Sequence, residues 1–239
     1  VSFWQQHRWR IAAVVITAAA VIAGKQFYRT ASAEELRFLL APTAHLASWF
    51  TGGNFVYEFG AGYADYKIGF IIAPPCAGMN FALAAFVTLV FGSLGAMTGP
   101  RALAMRLAIA AVATYIATIV INTIRISIAV AMHRGHLRFG EMNRAEAHRL
   151  EGIVVYLGGL LLLFALARAP RITSGVSGKR RTSFAIPIVA YLVITLGLPL
   201  ANGAAARGEL AHHALVVVMA CTVAVALLVA IAQIRKRTT

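Results

Sequence analysis

The sequence predicts an all-α fold: a polytopic membrane helical bundle of about six transmembrane helices, with an interfacial helix and a short outer β-hairpin. Three observations carry this. Of 239 residues, 60% are hydrophobic and only 13% are charged, against about 25% charged in a soluble domain, so there is too little polar side chain to cover a water-facing surface. The apolar residues fall in long runs. The formal net charge of +14 sits mostly between those runs, as Lys and Arg do on the cytoplasmic side of a membrane. Charge so placed describes orientation, and no nucleic-acid partner is expected.

The elements follow in chain order. Ile11–Ala23 is an uncharged run behind Arg8 and Arg10. It reaches the roughly 17–25 residues of a crossing helix if its flanks join and Lys25 snorkels. No small-residue cleavage site precedes the next polar segment, so it reads as an anchor. Leu36–Phe50 is short and contains Arg37, Pro42 and His45, which predicts an interfacial or re-entrant helix. Ser32 ahead of Glu34 and Glu35 suits its start. Asn54–Phe70 alternates, is broken by glycine and reads as a hairpin or an extracytoplasmic loop. Further spans are read at Ile68–Met97, Leu103–Met132, Gly152–Ala167, Phe184–Leu200 and His212–Ile234. The chain then divides into an N-terminal membrane anchor (1–29), a core (30–168) and a C-terminal part (169–239) made of a basic loop and the last two spans.

With the N-terminus in the cytoplasm, segments 1–10, 98–106, 168–183 and 235–239 hold twelve Lys and Arg and no acid. The outer segments hold nine Lys and Arg and all eight acids. The Lys179–Arg181 cluster is the strongest part of this bias, and both termini are expected on the cytoplasmic side of the inner membrane.

Three unusual residues then fall near the outer face. Cys76 follows Pro74 and Pro75 at the start of an apolar run. Prolines suit a first helical turn, and a helix N-terminus favours the thiolate. The other reading is an inert buried cysteine, which Cys221, in an unbroken apolar run, matches better. Arg125 interrupts a span, where a charge costs about 2.5 kcal/mol or more and usually faces the protein interior or a wet cavity. Asn122, three residues earlier, shares its face; snorkelling is the plainer alternative. His148 and Glu151, also three apart, open the next span, where histidine suits proton transfer; an ordinary polar turn is the alternative. The histidines His133, His136 and His148 lack metal-ligand spacing with a carboxylate, and two cysteines make neither a disulfide framework nor a zinc site. No metal and no cofactor is expected. A thiol, a histidine and an arginine together make an acyl-transfer set.

The order Pro-Cys-Ala-Gly at 75–78, Asn-x-x-Arg at 122–125 and His148 resembles the exosortase/archaeosortase family. Glu35–Thr43 (ELRFLLAPT) and Tyr57–Tyr63 (YEFGAGY) look most like its exosortase K branch. The resemblance spans roughly 30–168. It implies that Cys76, Arg125 and His148 form the active site of a membrane-embedded cysteine transpeptidase. The implied substrates are secreted proteins ending in a short motif, a transmembrane helix and a basic tail, cleaved through a thioester and passed to an acceptor. Asn122 and Glu151 are supporting residues inferred from helix spacing. Membrane lipids are the other expected partner, and the loop carrying Arg134, Arg138, Arg144 and Arg149 is a candidate contact for an acidic motif. The competing readings are a transporter, with Arg125 and His148 lining a pathway, and a non-catalytic factor for envelope or polysaccharide export. A transporter of this kind is expected to show an internal repeat, and the two halves of the sequence show none of convincing quality.

Overall fold

The computed structural model describes residues 3–135, 144–168, 184–197, 200 and 210–237. The loop positions His136 and Arg138 and the Lys179–Arg181 cluster lie outside them. Four helices make the frame: α1 (Phe3–Thr30), α3 (Met79–Ser93), α4 (Pro100–Arg134) and α5 (Arg144–Arg168). The segments His7–Thr30, Pro74–Ala96, Pro100–Arg134 and Glu146–Arg168 are long and apolar enough to cross a bilayer. The chain is thus a multi-pass, all-α membrane protein. α4 starts with Pro100 after an extended Gly99, the position where a missing N–H costs nothing. It then runs 35 residues without another proline or glycine.

Of the two remaining expected spans, Phe184–Leu200 holds, among the described residues, an apolar helix at Ala185–Gly197. Its first part, α6 (Ala185–Leu192), widens into a π turn at Val193–Gly197. His212–Ile234 lies within α7 (Leu210–Arg237). Membrane-length apolar helices among the described residues therefore number four, against about six expected. Both C-terminal helices pack on the same core as α3 and α5. That core holds Phe81, Ala84 and Ala85 of α3, Ile153, Leu157 and Leu160 of α5, Tyr191 of α6, Ile194, and Val217 and Cys221 of α7. The α5 members recur at helical spacing, the stripe of a one-sided helix. Cys221 is buried there, as expected of an inert thiol.

At one end of the frame sits a small cap, made of α2 (Arg37–Thr51) and three strands, β1 (Val56–Glu58), β2 (Gly62–Asp65) and β3 (Phe70–Ile72). The turn into α2 is a reciprocal capping box: Ser32 N–H donates to Glu35 Oε2 at 2.8 Å, and Glu35 N–H donates to Ser32 Oγ at 3.3 Å. α2 buries Leu39, Leu40, Ala44 and Ala47 together with Ile126 and Val130 of α4. Its Phe38 carbonyl accepts from Tyr115 and its Thr51 carbonyl from Arg134. These partners stand about 28 Å apart along α4 at 1.5 Å per residue, so α2 runs alongside the C-terminal half of α4. The opposite face of α2 leaves Phe38, Leu46, Trp49 and Phe50 exposed.

The strands form one antiparallel sheet in the order β1-β2-β3, with Tyr57 opposite Tyr63 and Tyr63 opposite Ile72. The expected hairpin is therefore two hairpins sharing β2. The third strand takes Phe70–Ile72, read from sequence as the start of a span. A short apolar run fits a strand or a buried helix equally by periodicity; here the prolines at 74 and 75 and the positive-φ Gly78 cut it from the helix that follows.

Candidate active site

Cys76 closes a 3-10 turn, Pro74–Cys76, that precedes α3. It is not in the first helical turn itself: Gly78, at φ +76°, separates it from Met79. That kink has two requirements. The positive φ favours glycine, and a Cβ at Gly78 would stand 3.2 Å from Asn122 Cγ and 3.3 Å from Thr118 Cγ2. The thiol residue is half-buried and its turn is held from two sides. Asn122 Nδ2 donates to the Cys76 carbonyl at 2.7 Å, and the Tyr28 hydroxyl donates to the Pro75 carbonyl at 3.3 Å. One turn before Tyr28, Lys25 Nζ donates to Asn80 Oδ1 at 2.7 Å, so the lysine expected to snorkel is tied to α3 instead.

α4 brings Asn122 and Arg125 to the same place. Both are buried, and they continue a polar line through Thr114 and Thr118 at helical spacing. Arg125 is held by α5. Its Nη2 donates to His148 Nε2 at 3.0 Å and its Nη1 to the Tyr156 hydroxyl at 3.4 Å. Its Nε lies 3.8 Å from Glu151 Oε2, and the guanidinium sits 5.3 Å from the centre of the Tyr156 ring. This is not a snorkelling side chain. A guanidinium only donates, so His148 Nε2 accepts and the neutral ring carries its proton on Nδ1. That nitrogen lies 3.5 Å from Glu151 Oε2. The Glu151 side chain is 7% exposed, and neither of its oxygens has a hydrogen-bond donor in range. It is a buried carboxylate facing two groups able to carry positive charge.

Close packing makes room for this. Gly152 lies under Arg125, and a Cβ there would stand 3.0 Å from Arg125 Nε. His148, Gly152 and Tyr156 recur every four residues and share one face of α5, the face turned to Arg125. α5 begins at Arg144, so His148 lies a turn inside the helix and not at its start.

The structure thus brings together all five residues singled out in the sequence. Arg125, His148 and Glu151 touch directly. Cys76 joins through Asn122 and lies within electrostatic range of Arg125, Tyr156 and Tyr28. His133 stands apart, against the Phe70 ring at the far end of the cap. Sequence reasoning missed Tyr156, Tyr28 and Lys25. For Tyr156 the signal was its place four and eight residues after Gly152 and His148.

A thiol, a guanidinium and an imidazole gathered where four membrane-length helices end define a class: multi-pass membrane proteins with a polar site at one end of the bundle. Residues 2–165 match the family model of the transmembrane exosortases. The chain belongs to that family, whose members are membrane-embedded sorting transpeptidases of the cysteine type. No curated protein and no solved structure matches the chain.

Proposed function

We propose that this protein is an exosortase whose nucleophile is Cys76, with Arg125 and His148 completing the site. The observation that supports this best is the unbroken polar chain from the Cys76 carbonyl through Asn122, Tyr156 and Arg125 to His148 and Glu151. Buried polar groups are costly unless they are used or paired. In this reading the incoming carbonyl first draws the Arg125 Nη2 donor off His148 Nε2, which frees that lone pair. The Cys76 thiol then gives its proton to His148 Nε2, the sulfur attacks the carbonyl of a peptide bond, and Arg125 stabilises the oxyanion that forms. The C–N bond breaks as His148 returns the proton to the leaving amine, which departs with the C-terminal membrane tail. The acyl group is left as a thioester on Cys76. An acceptor amine or hydroxyl attacks it, gives its own proton to His148, and frees the thiol.

The substrates of this reading are secreted proteins ending in a short motif, a transmembrane helix and a basic tail. The site faces the outside of the inner membrane and both termini the cytoplasm, as the excess of Lys and Arg in the inner loops supports. The exosortase K branch is our finer assignment. It rests on Glu35–Thr43 and Tyr57–Tyr63, neighbouring segments here because Tyr57 and the Gly60 N–H both donate to Glu34.

The test compares C-terminal peptides of secreted proteins in cells carrying the wild-type chain or Cys76→Ala. Proteins that lose their hydrophobic tail with wild type and keep it with Cys76→Ala, at equal levels of the two chains, are the expected result. Identical tails in both would overturn the proposal.

A further inference from the structure

We infer that Tyr156 is a positioning residue of this site: its hydroxyl locks the Asn122 amide in the one orientation that holds the Cys76 turn, and the same oxygen anchors Arg125. The inference rests on the transpeptidase reading for its effect on turnover; the lock itself does not.

The argument starts from donor and acceptor chemistry. The Cys76 carbonyl can only accept, so the Asn122 side chain must turn its NH2 group toward it, and does so at 2.7 Å. That leaves Oδ1 on the other side, needing a donor in a buried place, since Asn122 is 0% exposed. The Tyr156 hydroxyl donates to that oxygen at 2.7 Å. If the amide turned over, Oδ1 would face the Cys76 carbonyl and NH2 would face the tyrosine, an acceptor against an acceptor. The Cys76 carbonyl therefore selects the amide orientation, and Arg125, which donates to the Tyr156 oxygen and cannot accept from it, leaves the tyrosine proton to Asn122 Oδ1. The hydroxyl has its proton committed to Asn122 and a lone pair left, and Arg125 Nη1 donates toward it at 3.4 Å. The two functional side chains of α4 thus meet on one oxygen of α5.

The ring itself is fixed. It stacks on Phe81 of α3, with centroids 5.4 Å apart and planes 29° apart, and the Arg125 guanidinium lies over the ring, 5.3 Å from its centre. Tyr156 therefore touches α3, α4 and α5 at the level of the nucleophile. A tyrosine that served packing alone would need the ring and not the oxygen. Phenylalanine keeps the ring, the stacking and the cation–π contact and removes only the lock.

The experiment uses the full chain in nanodiscs, as wild type, Tyr156→Phe, Asn122→Ala and the double variant. Hydrogen exchange of the backbone amides at residues 76–80 reads the lock without any substrate. Tyr156→Phe should speed it about tenfold, the worth of one buried hydrogen bond, and should add less than twofold once Asn122 is alanine. Equal exchange in wild type and Tyr156→Phe, or full additivity with Asn122→Ala, overturns the lock. In cells, the probe is a secreted protein whose tail is removed by wild type and kept by Cys76→Ala. Tyr156→Phe should cut its removal at least tenfold through kcat, with KM within twofold, because the lost contact is not one to substrate. Unchanged removal overturns the positioning role. If no such protein exists, the enzymatic reading fails, and the positioning role with it, whatever the exchange data say of the lock.

Discussion

Arg125 is the residue on which the site turns. Its Nη1 and Nη2 each donate to an α5 side chain, while Nε faces Glu151 at 3.8 Å without a hydrogen bond, and this needs the planar fork of a guanidinium. Arg125→Lys keeps the charge and loses the fork. Tail removal should fall at least tenfold with the chain still inserted and folded, measured by processing in cells and by thermal unfolding in detergent. Arg125→Leu does something different. It leaves Glu151 buried beside His148 alone, and breaking a buried ion pair costs about 3 kcal/mol. The unfolding midpoint should drop, and adding Glu151→Gln should restore part of it; a double variant no more stable than Arg125→Leu would contradict the pairing. Cys76, Arg125 and His148 were legible in the sequence because each is a rare type at the edge of an apolar run. Tyr156 and Lys25 were not. A tyrosine among leucines reads as an interfacial aromatic, and a lysine near a span end reads as snorkelling, because only the fold brings Asn122 and Asn80 to them.

At the scale of elements, the cap depends on one half-buried carboxylate. Glu34 accepts from the Gly60 N–H at 2.9 Å and from the Tyr57 hydroxyl at 2.7 Å, which holds its carboxyl down to about 2. Asp65, accepting first from the Asn54 N–H and then from Ile68 and Lys67, is also held below its usual range. A carboxylate whose folded pKa is depressed gives stability that is present above its unfolded value and lost as pH falls through the folded value. The sheet should therefore loosen between roughly pH 4.5 and 2, seen as faster exchange at Gly60. Glu34→Gln should flatten the part of that response due to Glu34 and leave the part due to Asp65. A Gly60 response unchanged by Glu34→Gln would refute this. The start of α2 was readable because Ser32 and Glu35 are spaced for a capping box. Its course along α4 was not, since that depends on Tyr115 and Arg134, distant in sequence. The third strand was hidden because Phe70–Ile72 is as apolar as the span it was taken to begin.

On the scale of the whole molecule, the outer ends of four helices meet at one level: Lys25 and Tyr28 on α1, Asn80 on α3, Arg125 on α4 and His148 on α5. α4 continues past Arg125 to Arg134, about 14 Å further, wrapped by the cap. The apolar bundle thus ends where the polar site begins. If the basic loops are cytoplasmic, this level is the outer face of the membrane. In a chain otherwise free of cysteine, Phe59→Cys in the cap should react with an impermeant maleimide in intact spheroplasts, and Ser177→Cys only after lysis. The reverse pattern would invert the topology. Composition made the bundle legible, because it depends on counts of apolar residues.

The central claim is that Cys76 carries the acyl group, and it can be read directly. The full chain is isolated from cells that secrete its substrates, digested, and weighed by mass spectrometry before and after neutral hydroxylamine. The account predicts a peptidyl adduct on the Cys76 peptide that hydroxylamine removes, as it removes thioesters, with more of it when the acceptor is depleted. A tail-removing chain with an unmodified Cys76, or with the adduct on another residue, would contradict it.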